Sequence, residues 1–359
     1  MDTYPVTAQC VGRFFQTDGK YLQRAYKEHL SDFDVWSQKE HAGDWVLVEK
    51  NIGERLSIDE TMLHNDLFTF LSNKEGHGRQ GTLVGAVKGI TVDEVSEHLM
   101  KLPEAQRLAV KEVTMDFSDS MLGIIRNCFP KAEIVIDCFH IMQLAGKALE
   151  EMRLKNKRTA RTELNRQERD FKKKLQRRTK NRARYAKSHK PKYSRTGKRL
   201  GRPRKRKNEK FVPEKLSNGE TKLDLLTRVR YPLLKSGDNW SEFQKKEMKL
   251  LFELDKRMKT AYGLVCALRN IFKKKQSREK AQKALKAWAK NVGRSHIREL
   301  ISARDTIMGK LEYVLNYFNN RSTNASAEAL NSKMKGFRTQ VRGVADLPFF
   351  IYRLVKIFG

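Results

Sequence analysis

Three acidic residues have the local context of a metal-dependent site that cleaves phosphodiesters. Asp59 closes the apolar and β-branched run 55–59, and Asp116 closes the similar run 113–116, so both are expected at the ends of buried strands. Glu328 lies at the start of a predicted helix. A carboxylate at the end of a buried strand is costly unless a cation or a hydrogen-bond donor meets it. Three such carboxylates can hold two Mg²⁺ ions about 4 Å apart, or Mn²⁺ in their place, which activate water and stabilise a leaving oxygen.

Each acid taken alone has a plainer interpretation. Asp59 or Asp116 could be a strand-end cap or a solvated turn acid. Glu328 could be a charge that favours the N-terminal end of its helix, where the macrodipole contributes up to about 1 kcal/mol. The joint placement of all three favours the metal site.

Four further polar residues are candidates for supporting roles. Asp137 and His140 directly follow the last predicted strand, and Asn331 and Lys335 follow Glu328 by three and seven residues, on the same helix face. His140 could be a hydrogen-bonded core histidine, could contact the scissile phosphate, or could help to position the inserted segment. Asn331 and Lys335 could orient a ligand and a phosphate, or could form a solvated helix face.

The predicted elements place the three acids in one α/β domain. Their order is βββαβαβ followed, much later, by the helix that carries Glu328, which is the order of an RNase-H-like mixed sheet. The predicted strands cover 54–60, 66–72, 82–88, 110–116 and 132–137, and the helices between them cover 91–102 and 118–128. Further helices are predicted over 20–38, 324–335 and 347–358. Thr91 followed by Glu94 predicts a capping box, and Gly336 is expected to end the Glu328 helix.

The distribution of charge decides the predicted domain map. Residues 151–210 hold 27 Lys and Arg against 5 Asp and Glu, which is +22 of a formal net charge of +32. Helical periodicity and no strand pattern mark the chain from 142 to 319, with a long, interrupted basic helix over 141–184. We therefore predict an RNase-H-like domain interrupted by a large, basic, all-α insertion. The predicted divisions are an N-terminal arm with a helix at 1–54, the first catalytic part at 55–141, the insertion at 142–319 and the last catalytic part at 320–359.

The most basic stretch, residues 185–210, has too few large apolar residues to fold alone and is expected to be disordered when unbound. Its core, Gly201-Arg202-Pro203, resembles an AT-hook, which fits a narrow A·T minor groove. Sequence-independent phosphate binding by a linker is the plainer alternative. The candidate DNA-binding residues are Arg202, Arg204, Lys205, Arg206 and Lys207.

The overall composition indicates a polyanionic partner, nucleic acid first, and gives no sign of a membrane role. Residues 1–10 lack the pattern of a signal peptide. The four cysteines form no CxxC pair, so no zinc site is expected; they are Cys10, Cys128, Cys138 and Cys266. Reduced thiols in a cytoplasmic protein are expected instead. The sequence also contains no GxSxG elbow and no GxxxxGK[ST] loop, which argues against a serine hydrolase and against ATP use.

An ordered set of motifs resembles those of the ISL-three family of bacterial insertion-sequence DDE transposases. The motifs are Ser57-Ile58-Asp59-Glu60, Asp137-Cys138-Phe139-His140, Asn324-Ala325-Ser326-Ala327-Glu328-Ala329-Leu330-Asn331-Ser332-Lys333 and the tail Gly336-Phe337-Arg338. The resemblance runs from about residue 53 to the end of the chain. It implies an RNase-H-like core with a helical insertion before the glutamate, and Asp59, Asp116 and Glu328 as the metal-binding triad.

The chain departs from that family in two ways. The N-terminal cysteine zinc module and the helix-turn-helix of other members are not visible, and Cys138 stands where the usual motif has an arginine. In spite of these departures, the resemblance implies a nucleotidyltransferase that is associated with the nucleoid. Such an enzyme would cleave element ends and join them to target DNA as a dimer or larger assembly. A separate polypeptide could supply end recognition.

Two other functions fit the same residues. An RNase-H-fold nuclease or resolvase would cleave DNA without strand transfer, and a DNA-binding regulator or inactive transposase relic would do neither. Strand-transfer products would distinguish a transposase from the nuclease or resolvase, which forms none. Metal-dependent nicking would distinguish it from the regulator or inactive relic, which does not cut DNA.

Overall fold

The structure is a computed structural model that describes residues 1–63, 65–189, 192–198, 200, 209–341, 344 and 346–359. In this part of the chain one six-stranded sheet is formed. Its strands are β1 Trp45–Leu47, β2 Arg55–Leu63, β3 Asp66–Asn73, β4 Leu83–Lys88, β5 Glu112–Met115 and β6 Glu133–Ile136. The helices that precede or interleave with the strands are α1 Ala8–Phe14, α2 Gly19–Ala25, α3 Val92–Leu99, α4 Glu104–Ala109 and α5 Asp119–Cys128.

After β6 the regular elements in the described residues are helices, and residues 192–198 and 209–221 between α6 and α7 are not helical. Its helices are α6 Cys138–Ser188, α7 Lys222–Arg228, α8 Arg230–Leu234, α9 Glu242–Leu254, α10 Lys256–Lys273, α11 Arg278–Ser295, α12 Arg298–Gly309, α13 Leu311–Asn320, α14 Ala325–Gln340 and α15 Leu347–Phe358. None of the helices in the described residues combines the length and hydropathy needed to cross a bilayer.

The chain forms two compact units. One comprises residues 1–144, 268–290 and 304–359, and it contains the sheet; the other comprises 145–267 and 291–303, and it is helical. The divisions predicted from the sequence at residues 54, 141 and 319 stay a prediction.

The strand order, β1-β4-β3-β2-β5-β6, confirms the predicted RNase-H-like mixed sheet. β2 is central: it pairs antiparallel with β3 and parallel with β5, and β5 pairs parallel with β6. The sequence missed the edge strand β1, which pairs antiparallel with β4. Three residues are too few to show a period-2 pattern.

Alternation along β2 and β5 gives the sheet two different faces. Leu56, Ile58, Val113 and Met115 join the apolar cluster formed with α3 and α5. Alternate residues, among them Ser57, Asp59, Glu112 and Thr114, therefore lie on the opposite face. That face carries α14 and α15, which bury Leu330, Met334, Leu354 and Ile357 against β3 and β4. The polar side chains of the central strands are thus placed beneath α14.

Several predicted bounds are confirmed and others are wrong. Thr91 caps α3 by accepting from the Glu94 backbone N–H, and α15 has its predicted bounds. α6 runs unbroken for 51 residues, where an interrupted helix was expected. Gly336 does not end α14, which continues to Gln340, because Met334 and Phe337 bury their side chains and offset the roughly 1 kcal/mol that a helical glycine costs.

The predicted helix over 20–38 is also wrong in extent. α2 ends at Ala25 and passes into one π-helical turn, Tyr26–Leu30, after which Ser31 is extended. This break lets Tyr26 and Phe33 pack their rings against Phe349 of α15. Tertiary packing therefore overrides the local helical pattern.

A buried ion pair lies on the polar face of the sheet. Lys74 Nζ is 2.8 Å from Glu112 Oε1 and also donates to Thr114 Oγ1, while Asn320 Nδ2 donates to Glu112 Oε2 at 3.3 Å. Burial opposes ionisation of Glu112, but hydrogen bonds from Lys74, Ser322 and Asn320 outweigh it and hold the pKa of Glu112 below its usual value. Burial lowers the pKa of Lys74, although Glu112 favours its charged form.

We expect Lys74→Met to destabilise the protein by about 3–5 kcal/mol at pH 7, because Glu112 is left buried without its cation. Since the folded-state pKa of Glu112 is depressed, the contribution of the pair is full above the unfolded-state pKa and is lost as pH falls through the folded-state pKa. The difference between wild type and variant should therefore shrink below about pH 4. Urea unfolding followed by tryptophan fluorescence at several pH values measures both effects.

The matched control is Lys111→Met, because Lys111 pairs with Glu54 at 2.6 Å on the exposed surface. An exposed pair contributes up to about 1 kcal/mol. Equal losses in the two variants would contradict the special role of the buried pair.

Candidate active site

The sequence suggested that Asp59 ends its strand. Asp59 instead lies in the middle of β2, because the strand continues to Leu63. The parallel pairing of β2 with β5 stops at Ser57 and Thr114, so Asp59 lies beyond the last pair. Asp116 follows the end of β5 and falls opposite Asp59 when that register is extended by two residues. Burial, reinforced by the charge of Asp116, raises the pKa of Asp59 to about 6.

His140 is a direct partner of Asp116. It lies in the first turn of α6, and its Nε2 is 2.8 Å from Asp116 Oδ1. This hydrogen bond outweighs burial and raises the pKa of His140; Asp137 and Asp59 add to the effect. His140 thus forms part of the carboxylate cluster, and its role among the alternatives left open by the sequence stays a prediction.

Asp137 joins the starts of two helices that are far apart in the chain. Only 1% of its surface is exposed. Its Oδ1 accepts from the Phe139 backbone N–H at 3.1 Å, at the start of α6, and its Oδ2 accepts from the Asn324 backbone N–H at 3.2 Å, just before α14. Asp137 therefore fixes where α14 begins relative to β6.

Glu328 projects from the first turn of α14 and is exposed. In the described part of the chain, Asp137, His140 and Glu328 form a group whose possible ligand atoms lie within 4.8 Å of one another. This group differs from the predicted set of Asp59, Asp116 and Glu328. Through the His140–Asp116 contact, however, the structure brings all of these residues into one cluster.

Two asparagines complete the cluster. Asn331, one turn after Glu328, donates from Nδ2 to Asp59 Oδ2, which is consistent with the supporting role considered for it. Asn324, which the sequence analysis missed, donates from Nδ2 to Asp116 Oδ1 at 3.5 Å. An asparagine directly before a helix is a common N-cap, and that local interpretation conceals its contact with the acids. Lys335 is exposed on α14, and within the described residues its side chain forms no hydrogen bond or ion pair with these acids.

The donor set fits a hard divalent cation. Asn324 and Asn331 are at least nine-tenths buried, yet the Oδ1 atom of each lacks a hydrogen-bond partner among the described residues. Carboxylate and amide oxygens are the ligands that Mg²⁺ prefers, and Mn²⁺ also accepts the imidazole of a residue such as His140. A cation would also offset the burial and the repulsion by Asp116 that together raise the pKa of Asp59.

The candidate DNA-binding residues Arg202, Arg204, Lys205, Arg206 and Lys207 lie outside the described residues, as does the whole AT-hook-like core. Their role stays a prediction.

We expect Asp59→Asn to stabilise the protein in EDTA at pH 7.5 by on the order of 1–2 kcal/mol, because it removes a half-buried charge next to Asp116. The folded-state pKa of Asp59, about 6, lies above its unfolded-state value of about 4, so the cost of its charge builds up between these two pH values and is complete above the folded-state pKa. The stabilisation should therefore fade between pH 6 and pH 4. Thermal unfolding at these pH values provides the measurement.

Asp66→Asn serves as the control, since Asp66 pairs with Lys88 at 3.0 Å on the exposed surface. A wild type more stable than Asp59→Asn at pH 7.5 would show that the charge of Asp59 is already compensated.

Comparison with known proteins identifies the family of the chain. Searches of curated proteins and of solved structures found no match. A family model described as a transposase, the DDE type of the ISL-three family, matches residues 56–354. The match spans strands β2 to β6 of the sheet, the acids on β2 and after β5 and β6, the helical segment and Glu328, and it leaves out the edge strand β1. The chain belongs to the ISL-three family of DDE transposases.

Proposed function

We propose that this transposase chain is the catalytic subunit that hydrolyses DNA at the ends of an insertion sequence and transfers the freed 3′-hydroxyl to target DNA. The observation that carries the proposal is the convergence of Asp59, Asp116, Asp137 and Glu328, which come from separate elements, at the carboxyl ends of β5 and β6. Ligands of open α/β sheets bind at this edge. The family membership supports DNA as the substrate.

Asp59, Asp116 and Glu328 are the proposed metal ligands, with Asp137 and His140 as further donors in the same cluster. Two bound Mg²⁺ ions, or Mn²⁺, would supply an activated water and stabilise the leaving oxygen of the phosphodiester. The oxygen-rich donor set favours these ions over zinc, which usually recruits cysteine or histidine.

The other residues of the cluster hold the carboxylates in place. His140 holds a proton between Nε2 and Asp116 Oδ1, which leaves the second oxygen of Asp116 for a ligand. Asn331 and Asn324 each donate an amide N–H to one acid. Rotation of either amide would turn its oxygen towards a cation, so the same side chains serve the charged cluster with and without metal.

The assembly proposed for this reaction is a dimer or higher oligomer on DNA, because two element ends must be brought together. We also propose that a separate polypeptide supplies end recognition and that the protein acts on the nucleoid in the cytoplasm. Lys335, exposed on α14, is proposed to contact a phosphate of the bound strand.

We expect Asp59→Ala, Asp116→Ala and Glu328→Ala each to reduce cleavage of element-end DNA by at least about 10³-fold, while DNA affinity changes little. Each side chain supplies charge to the cluster and contributes little to the apolar core. Gel assays of end cleavage with Mg²⁺, together with binding titrations in EDTA, separate the two effects. Asp66→Asn should cleave normally, and wild-type activity of Asp116→Ala would refute the assignment.

A metal exchange test distinguishes a transposase from a simple nuclease. EDTA should stop both cleavage and strand transfer, and Mg²⁺ or Mn²⁺ should restore both with a pre-cleaved 3′-hydroxyl end as donor. Sequencing of the joined products detects strand transfer directly. Restored cleavage without joined products would favour the nuclease or resolvase, and tightly bound stoichiometric zinc would contradict the proposed ion.

A further inference from the structure

The second half of α6 presents one continuous row of cations. From Lys172 to Ser188 the residues of this helix are exposed. Seven cations recur along it at intervals of three or four residues, which is the spacing that keeps side chains on one helix face. This cationic stripe consists of Arg166, Arg169, Lys173, Arg177, Lys180, Arg184 and Lys187.

The opposite side of the same helix carries its packing contacts. Ala160, Leu164 and Phe171 lie there at helical spacing, and they are less exposed than their neighbours. The ring of Phe171 lies 5.8 Å from the ring of Phe211, and Leu164 lines a groove with Leu216. Packing on this side therefore fixes the rotation of the helix so that the stripe faces away from the packed chain.

Most ion pairs of this part of α6 involve cations outside the stripe. Lys172 pairs with Glu168 at 2.6 Å and Arg178 with Glu209 at 2.7 Å, and neither cation belongs to the stripe. Within the stripe, Arg166 pairs with Glu163 at 2.8 Å. Within the described residues, the cations without an acidic partner are thus concentrated on the stripe face of the helix, so the helix is more than a segment rich in lysine and arginine.

We propose that the cationic stripe binds the phosphate backbone of duplex DNA. From Arg166 to Lys187 the stripe advances by 21 positions, or about 32 Å of helix, close to the roughly 34–36 Å of one turn of B-DNA. Lysine and arginine that neutralise phosphates release counterions, and a straight row of them can follow a backbone without reading bases. The stripe differs from the AT-hook-like tract and requires no groove selectivity.

This inference rests on the proposed function only for the choice of DNA as partner. In the free protein, mutual repulsion of the stripe cations destabilises this exposed helix. A polyanion bound along the stripe removes that repulsion. The stripe should therefore contribute to affinity for any duplex sequence and should leave the chemistry of an engaged end unchanged.

The test compares two variants with the same composition change in the same helix. The stripe variant carries Lys173→Gln, Lys180→Gln and Arg184→Gln, and the control carries Lys172→Gln, Lys174→Gln and Arg182→Gln. Each loses two lysines and one arginine, and glutamine keeps a good helix propensity. Fluorescence anisotropy of the full-length protein on a 30-base-pair duplex, in EDTA over a series of salt concentrations, measures affinity and its salt slope. Circular dichroism verifies that both variants keep their helix content.

We expect the stripe variant to flatten the slope of log affinity against log salt by about 2–3, and to weaken binding at least about tenfold at 0.1 M salt. The control should keep nearly the wild-type slope. Equal flattening in both variants would overturn the stripe in favour of diffuse net charge. A stripe effect confined to RNA would overturn DNA as the partner.

Cleavage assays keep this inference separate from the proposed function. A wild type that cleaves no DNA with Mg²⁺, but whose slope depends on the stripe, would refute the catalytic proposal and leave the stripe intact. A wild type that cleaves DNA while neither variant alters the slope would refute the stripe alone.

Discussion

The close approach of two carboxylates at the end of a parallel strand pair is the constraint on which the site depends. The register of β2 with β5 places Asp59 next to Asp116, and their mutual repulsion adds to the cost of burial. Free protein tolerates this arrangement because Asn331, His140 and Asn324 donate hydrogen bonds to the two acids. The same arrangement is useful for chemistry, since a divalent cation gains more from two poorly neutralised carboxylates than from two that are already paired.

The helix that carries Glu328 is positioned from both its ends. At its start, the buried Asp137 accepts the Asn324 backbone N–H, which ties α14 to the end of β6. Farther along, Met334 and Phe337 pack with α15 in the apolar cluster of β3 and β4. A long helical segment can therefore separate Glu328 from the other acids in sequence while its side chain returns to the same cluster.

The polar side chains of the central strands also need partners within the protein, because burial removes them from water. Lys74 and Glu112 neutralise one another beneath the helices, and Asn320 satisfies the remaining carboxylate oxygen. An apolar pair could fill this volume at similar or lower energetic cost. The pair instead ties the turn after β3 to the start of β5, the strand that leads to Asp116.

The sequence by itself determined the succession of strands β2 to β6, the candidate acids and the family, because buried strands, capped helices and ordered motifs leave local signatures. Thr91 and Glu94, for example, specify the start of α3 within the chain segment itself. Local pattern could not decide the extent of the 20–38 helix, the continuation of α14 past Gly336, or the edge strand β1. Packing against Phe349 determines the first, burial of Met334 and Phe337 the second, and pairing with β4 the third. Only the tertiary structure brought Asn324 to Asp116 and grouped Asp137 and His140 with Glu328, since those contacts join residues that no local periodicity relates.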